Sequence, residues 1–138
     1  MYQIYISNIM NSLVELQNLH NFHTDKNTTH SYLPYYDSIF LKYLNKPITL
    51  LEIGIFHGGS LKLWEKYFGD NLQQYFIDVH LGNINWEYTE IKNATIIYKN
   101  IISCTDKFLQ PIKFDIIIDD GSHTLEHQKM CYELFKNR

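Results

Sequence analysis

Apolar positions recur every three or four residues at the start of the chain: Ile6, Met10, Leu13, Leu16 and then His20. That spacing predicts an amphipathic helix ending near Asn21. Residues 23–30, His-Thr-Asp-Lys-Asn-Thr-Thr-His, are polar and rich in turn formers, which predicts a loop. A second helix is expected after Pro34, with Tyr36, Ile39, Phe40, Tyr43 and Leu44 on its apolar face and Asn45-Lys46-Pro47 as its stop. Beyond residue 47 the period changes. Thr49–Ile55 is a short apolar run that predicts a strand, and Phe56-His57-Gly58-Gly59 predicts a turn. Ser60 is the expected N-cap of a helix carrying Leu61, Leu63, Trp64, Tyr67 and Phe68. Further strands are expected at Gln74–Val79, Thr95–Ile101 and Phe114–Asp119. Between them lie a mixed loop at 81–94 and a short helix at Ser103–Gln110, and a final helix is expected at Thr124–Lys136.

Strands that are apolar on both faces and alternate with helices point to a parallel α/β sheet covered on both sides. The expected architecture is therefore α/β: about four parallel strands in a partial Rossmann-like sheet with flanking helices, preceded by two N-terminal helices. We read the whole chain, 1–138, as one domain. Residues 1–46 form a helical appendage and 47–138 the sheet-bearing part.

Composition narrows the function classes. Hydrophobic residues make up 45% and charged residues 20% of the 138, so a packed core is expected rather than disorder. The net charge of −3 and the absence of a basic stripe argue against nucleic acid as a partner. No apolar run approaches the ~18 residues of a membrane span. Residues 1–10 lack the charged and small-residue features of a secretory signal. Cys104 and Cys131 stand in no C-x-x-C pair and read as reduced thiols, so a cytoplasmic protein is expected. Eleven of the twelve basic residues are lysine, and Ile, Asn and Tyr abound, as in a gene from an AT-rich genome.

Two stretches carry candidate chemistry. The first is Leu51-Glu52-Ile53-Gly54-Ile55-Phe56-His57-Gly58-Gly59-Ser60 at a strand-to-helix junction. Glycine there lets a ligand approach the backbone, and the following helix offers free N–H groups. Phe56 spoils a dinucleotide G-x-G-x-x-G and disfavours a nicotinamide-dependent enzyme. Roughly 20 residues on, the second strand ends at Asp78, where a carboxylate can accept bonds from both hydroxyls of a ribose. Together these mark an adenosyl-ligand site, against the bland alternative of a glycine-bearing turn with no ligand.

The second stretch is Asp119-Asp120-Gly121-Ser122-His123, delivered to the carboxyl edge of the sheet by the fourth strand. Ligands bind at that edge in open α/β sheets. A carboxylate suits Mg²⁺, and an imidazole can take a proton from a hydroxyl near neutral pH. The competing reading is a turn at Asp120-Gly121 with Ser122 or Thr124 capping the next helix. His123 and His127 are four apart, but the sequence places no third zinc ligand, and His127 reads as a helix-surface residue.

These residues resemble a known family, the metal-dependent macrolide-sugar (mycinamicin-type) O-methyltransferases, which belong to the class I S-adenosylmethionine-dependent methyltransferases. The segment Leu51–Leu61 with Trp64 is similar to that family's first motif, and Ile118–His123 with His127 to its D-D-G-S-H segment. Thr24-Asp25-Lys26 followed by His30, Tyr32 and Tyr36 is similar to its T-D-K segment. The resemblance runs from about residue 20 to the last residue. It implies that Glu52, Gly54, Gly58, Gly59 and Asp78 bind S-adenosylmethionine. It implies Asp120 as a ligand of Mg²⁺ and His123 as the base for a sugar hydroxyl on a small-molecule acceptor. Residues 24–36 would close over the cofactor or substrate. In the family a fifth strand supplies further metal ligands. The chain is therefore expected to hold the front part of a truncated domain, active with a complementing C-terminal fragment or serving as an inactive remnant that binds a partner or forms a homo-oligomer.

Overall fold

The computed structural model describes residues 11–80, 82, 84–85, 90, 92–101 and 109–137. Helix α1 runs Leu13–His20 and α2 Leu33–Phe40, followed by a 3-10 turn at Leu41–Tyr43. Strand β1 (Ile48–Ile53), helix α3 (Gly59–Phe68), β2 (Leu72–Asp78), β3 (Ala94–Tyr98), β4 (Ile116–Asp119) and α4 (Leu125–Phe135) complete the described elements. The strands form one parallel sheet in the order β3-β2-β1-β4. The partial Rossmann-like α/β architecture expected from the sequence is thus the one observed.

Each helix starts where local chemistry allows. Ser12 and Glu15 close a capping box on α1, with Glu15 N donating to Ser12 Oγ at 3.2 Å and Ser12 N to Glu15 Oε2 at 2.8 Å. Asn21 ends α1 in the left-handed conformation. Pro34 sits in the first turn of α2, where a missing N–H costs nothing. The Asp37 carboxylate of α2 accepts Leu13 N at 3.0 and 3.1 Å, joining α2 to the positive end of α1. Ser60 is not the cap of α3. Gly58 is, at φ 84°, and Ser60 lies buried within the first turn. The helix begins two residues earlier because Gly58 adopts the left-handed backbone at little strain.

Alternation along the strands divides the core. Ile48 and Leu50 of β1, Leu72 and Phe76 of β2, and Ile116 and Ile118 of β4 pack on one face with α1, α2 and α3. Leu51, Ile53 and Ile77 pack on the other with Leu109, Phe114, and Cys131 and Phe135 of α4. The first face is the larger. Trp64 is fully buried there, its ring edge-on to Phe40 and Tyr36 at centroid distances of 5.6 and 5.7 Å. Each large apolar side chain so buried stabilises by about 1.5–3 kcal/mol. Leu13, Leu16, Phe22, Leu33 and Phe40 belong to this same cluster, so the N-terminal helices share the sheet's core. Ile39, expected on that face, is exposed, and Leu33 is buried instead. The helix starts at Leu33, which rotates the buried stripe.

Residues 103–108 of the expected helix and half of the 81–94 loop lie outside the described residues, as do Ile6, Met10 and Cys104. No helix among the described residues is long and apolar enough to cross a membrane.

Candidate functional site

The strand order places the switch point between β1 and β4, because β2 and β3 lie on one side of β1 and β4 on the other. Their carboxyl ends open into a cleft of about 460 Å³. The position is the one at which doubly wound sheets bind ligands. The chain crosses here at close range. Asp120 N donates to Ile53 O at 2.9 Å, and Gly54 N to Ile77 O at 2.9 Å.

Both stretches singled out in the sequence meet at this cleft, and its walls include Glu52, Gly54, Gly59, Asp78, Asp120 and His123. Asp78 ends β2 with its carboxylate fixed by two backbone groups. Ile55 N donates to Oδ2 at 2.7 Å and His80 N to Oδ1 at 2.8 Å. Each oxygen keeps a further lone pair, and the half-buried side chain lines the cleft. That pair of acceptors fits a ribose diol.

The glycines are demanded by the protein's own backbone. Gly54 has φ 93°, and a Cβ there would lie 2.4 Å from Asp120 O. At Gly59 a Cβ would lie 2.2 Å from His23 O and 2.7 Å from Thr24 N. The first glycine therefore lets the β1 and β4 ends approach. The second lets the residues that precede Lys26 lie on the start of α3.

Lys26 entered the sequence reading only as part of the T-D-K segment, with no role of its own. It lies within a tight turn in which Asp25 O accepts Thr28, Thr29 and His30 N. Its side chain is buried, with its ammonium 2.9 Å from Glu52 Oε1 and hydrogen-bonded to Asp120 Oδ2. Glu52 is wholly buried, and its other oxygen accepts Trp64 Nε1 at 2.6 Å. Burial works against the ammonium, but Glu52 and Asp120 outweigh it and raise the Lys26 pKa, so Lys26 stays charged. Tyr36 packs close by. Burial pushes its phenol up to about 12, with the Lys26 charge pulling the other way. Both oxygens of Glu52 thus face groups of the chain itself.

His123 stands just past β4 at φ 56°. Its side chain is 67% exposed, with Nε2 3.8 Å from Asp120 Oδ1. His127, expected on the helix surface, is half-buried and faces the cleft, with Nδ1 hydrogen-bonded to Ser122 Oγ. Thr124 caps α4, accepting His127 N at 3.4 Å, so capping and cleft chemistry share this loop. Cys131 also lines the cleft. Burial and the neighbouring Asp119 carboxylate push its thiol up to about 11.

A metal does not fit the described residues. Among them no three His, Cys, Asp or Glu side chains converge on one point. One oxygen of Asp120 is already occupied by the Lys26 ammonium.

No protein-family model matches the chain. Curated relatives do. Demethylmacrocin O-methyltransferase of Streptomyces fradiae is 33% identical over 113 residues, covering 75% of this chain and 27% of that protein. Mycinamicin VI 2''-O-methyltransferase of Micromonospora griseorubida is 31% identical over 112 residues, covering 75% and 27%. A tetracenomycin-C rhamnosyl 2'-O-methyltransferase of Streptomyces olivaceus is 29% identical over 111 residues, covering 75% and 29%. This chain resembles the macrolide-sugar O-methyltransferases. The resemblance carried by three short motifs thus extends over three quarters of the chain. The chain spans little more than a quarter of the length of these relatives.

Proposed function

We propose that this chain carries the cofactor site of an S-adenosylmethionine-dependent O-methyltransferase acting on a sugar hydroxyl of a small molecule. The observation that carries the reading is Asp78, a carboxylate held by two backbone N–H groups at the switch-point cleft, with Gly54 opposite it. The relatives' activities on sugar-bearing compounds support the acceptor class.

Asp78 accepts the two ribose hydroxyls, and the Ile55 and His80 N–H groups keep its plane fixed for them. Apolar Ile77 and Val79 flank the adenine side of the cleft. When bound, the cofactor supplies an electrophilic methyl group on a sulfonium. His123, projecting from the loop after β4, accepts the proton of the attacking hydroxyl, and its exposure leaves room for an acceptor to approach. A positioned base of this kind contributes typically ~10²–10⁴-fold. The T-D-K segment walls the cleft through Thr24, Asp25 and Lys26. Mg²⁺ at Asp120, as the family resemblance implies, needs further oxygen ligands than the described residues converge, and no step here runs through it. We place the protein in the cytoplasm.

Calorimetric titration with S-adenosylmethionine and its demethylated product tests the reading. Binding by the wild type and at least roughly tenfold weaker binding by Asp78→Ala are expected. No heat and no thermal shift at millimolar ligand would sink it.

A second reading is a binding or oligomerisation module without turnover. It is favoured by β4, which pairs on only one side among the described residues, and by Leu125 and Tyr132 of α4, exposed at 67% and 66%. Light scattering combined with methyl-transfer assays separates the two. A monomer with turnover excludes the module.

A further inference from the structure

The misfit between Asp120 and a metal has a specific cause. The oxygen a divalent ion would take is held by Lys26. We infer that Lys26 is a built-in cation at Asp120, filling by an ammonium the place of a divalent ion and thereby pinning residues 23–32 over the cleft that we read as the cofactor site.

Three features place the charge there. The turn at Asp25 directs the Lys26 side chain inward, and Tyr32 N closes the turn on Lys26 O at 3.0 Å. Glu52 comes from β1, and the Trp64 indole holds it in place from α3. Asp120 comes from the end of β4, with its backbone N on Ile53 O. The ammonium therefore bridges two strands whose carboxylates would otherwise repel across the switch point, and it is buried from water while doing so. A lysine has three donors; one goes to Asp120, and Glu52 Oε1 lies 2.9 Å from the ammonium.

A metal and this ammonium exclude one another. A hard divalent ion binds oxygen at about 2.0–2.6 Å. An ion at Asp120 Oδ2 would then lie against the ammonium that donates to the same atom, at a separation where like charges repel strongly. The second Asp120 oxygen faces His123 Nε2 at 3.8 Å, so it lies beside an imidazole rather than a further carboxylate. Gly59 fits the same picture. Its missing Cβ is what allows His23 and Thr24 to lie flat on α3, which brings Lys26 within reach of both carboxylates.

Lys26 is thus a positioning residue. It sets the Asp120 carboxylate beside His123 and holds the wall of the cleft, without itself touching the reacting atoms.

The test combines Mn²⁺ titration, followed by electron paramagnetic resonance, with hydrogen exchange of residues 23–32 in the full chain. In the wild type, residues 23–32 should be protected, and chelator should leave that protection unchanged. Either Mn²⁺ fails to bind at Asp120, or it binds only with faster exchange of 23–32 as the ammonium is displaced. Asp120→Asn assigns any binding to this carboxylate. Lys26→Met should lose the protection of 23–32 while β1 and β2 keep theirs, and should bind Mn²⁺ at least about tenfold more tightly, that is by the ~1.4 kcal/mol of a factor of ten. Lys26→Arg should restore part of the protection. Mn²⁺ bound at Asp120 of the wild type with exchange of 23–32 unchanged would overturn the inference, as would a folded Lys26→Met with these residues still protected. The wild-type arm decides even if Lys26→Met does not fold. Failure of the cofactor reading shows separately, as absence of S-adenosylmethionine binding in calorimetry with the exchange pattern intact.

Discussion

Glycines 54 and 59 look alike in the sequence, both in the turn after β1, yet each answers to a different neighbour. Gly54 is crowded by Asp120 O and holds φ 93°, while Gly59 is crowded by His23 O. Gly54→Ala and Gly59→Ala should each destabilise by about 1–3 kcal/mol, the cost of forcing atoms into a packed site. Urea midpoints measure this. Gly59→Ala should also speed hydrogen exchange at residues 23–32, and Gly54→Ala should leave that segment protected. Tyr36 gives a second residue-scale prediction. Its phenol ordinarily titrates near ~10, and burial raises it to about 12 in the fold. The folded state therefore keeps the proton that the unfolded chain has lost. The stability Tyr36 contributes is complete below about pH 10 and falls away as pH rises toward about 12. Tyr36→Phe should flatten the decline of the urea midpoint across that window. An unchanged slope would mean the phenol is not shielded as its surroundings indicate. The sequence pointed to neither effect, nor to Lys26 as an ion-pair partner. Lys26 and Asp120 lie 94 positions apart, and no local period couples them. Only the T-D-K resemblance put the segment near the site.

Element existence was legible because the patterns were long or strongly apolar. β1 and β2 read as buried strands from Leu50-Leu51 and Phe76-Ile77, and both are in place. Their ends shifted by a few residues, since strand pairing stops where Gly54 turns the chain and where Asp78 leaves the ladder. The strand predicted at Thr95–Ile101 pairs only over Ala94–Tyr98, since β2, its one partner among the described residues, ends at Asp78. The final helix was placed well because Thr124 supplies a true cap. Thr124→Ala should cost about 1 kcal/mol by loss of that cap. It should also disturb the Ser122–His127 pair, since Ser122 Oγ lies 3.3 Å from Thr124 Oγ1. The buried face of the same helix carries Cys131, whose thiol is pushed up to about 11 by burial and by Asp119. Alkylation of Cys131 near pH 8 should therefore be slow in the folded protein, and Asp119→Asn should speed it by removing the nearby negative charge. Mass-spectrometric counting of modified Cys131 peptide reads both rates.

At the scale of the molecule, two core layers and one cleft are tied together by few connections. The N-terminal helices join the larger core through Leu13, Leu33 and Phe40, and the loop between them reaches the ends of β1 and β4 through the Lys26 contacts with Glu52 and Asp120. A ligand seated between Asp78, Gly54 and His123 would touch the ends of β1, β2 and β4 at once. Binding of this kind stabilises the folded chain by RT ln(1 + [L]/Kd), about 2.7 kcal/mol at a hundredfold excess over Kd. For a chain of this size that corresponds to roughly 10 °C in Tm. S-adenosylmethionine and its demethylated product should both produce the shift, because the proposed contact of Asp78 is to the ribose that both share. Asp78→Asn should reduce it for both ligands alike. His123→Ala should leave it intact for both while methyl transfer falls by about 10²–10⁴-fold. If His123→Ala abolished the shift as well, the imidazole would belong to the cofactor's binding surface, and the base for the acceptor hydroxyl would have to be sought elsewhere, with His127, which also faces the cleft, as the next residue to substitute.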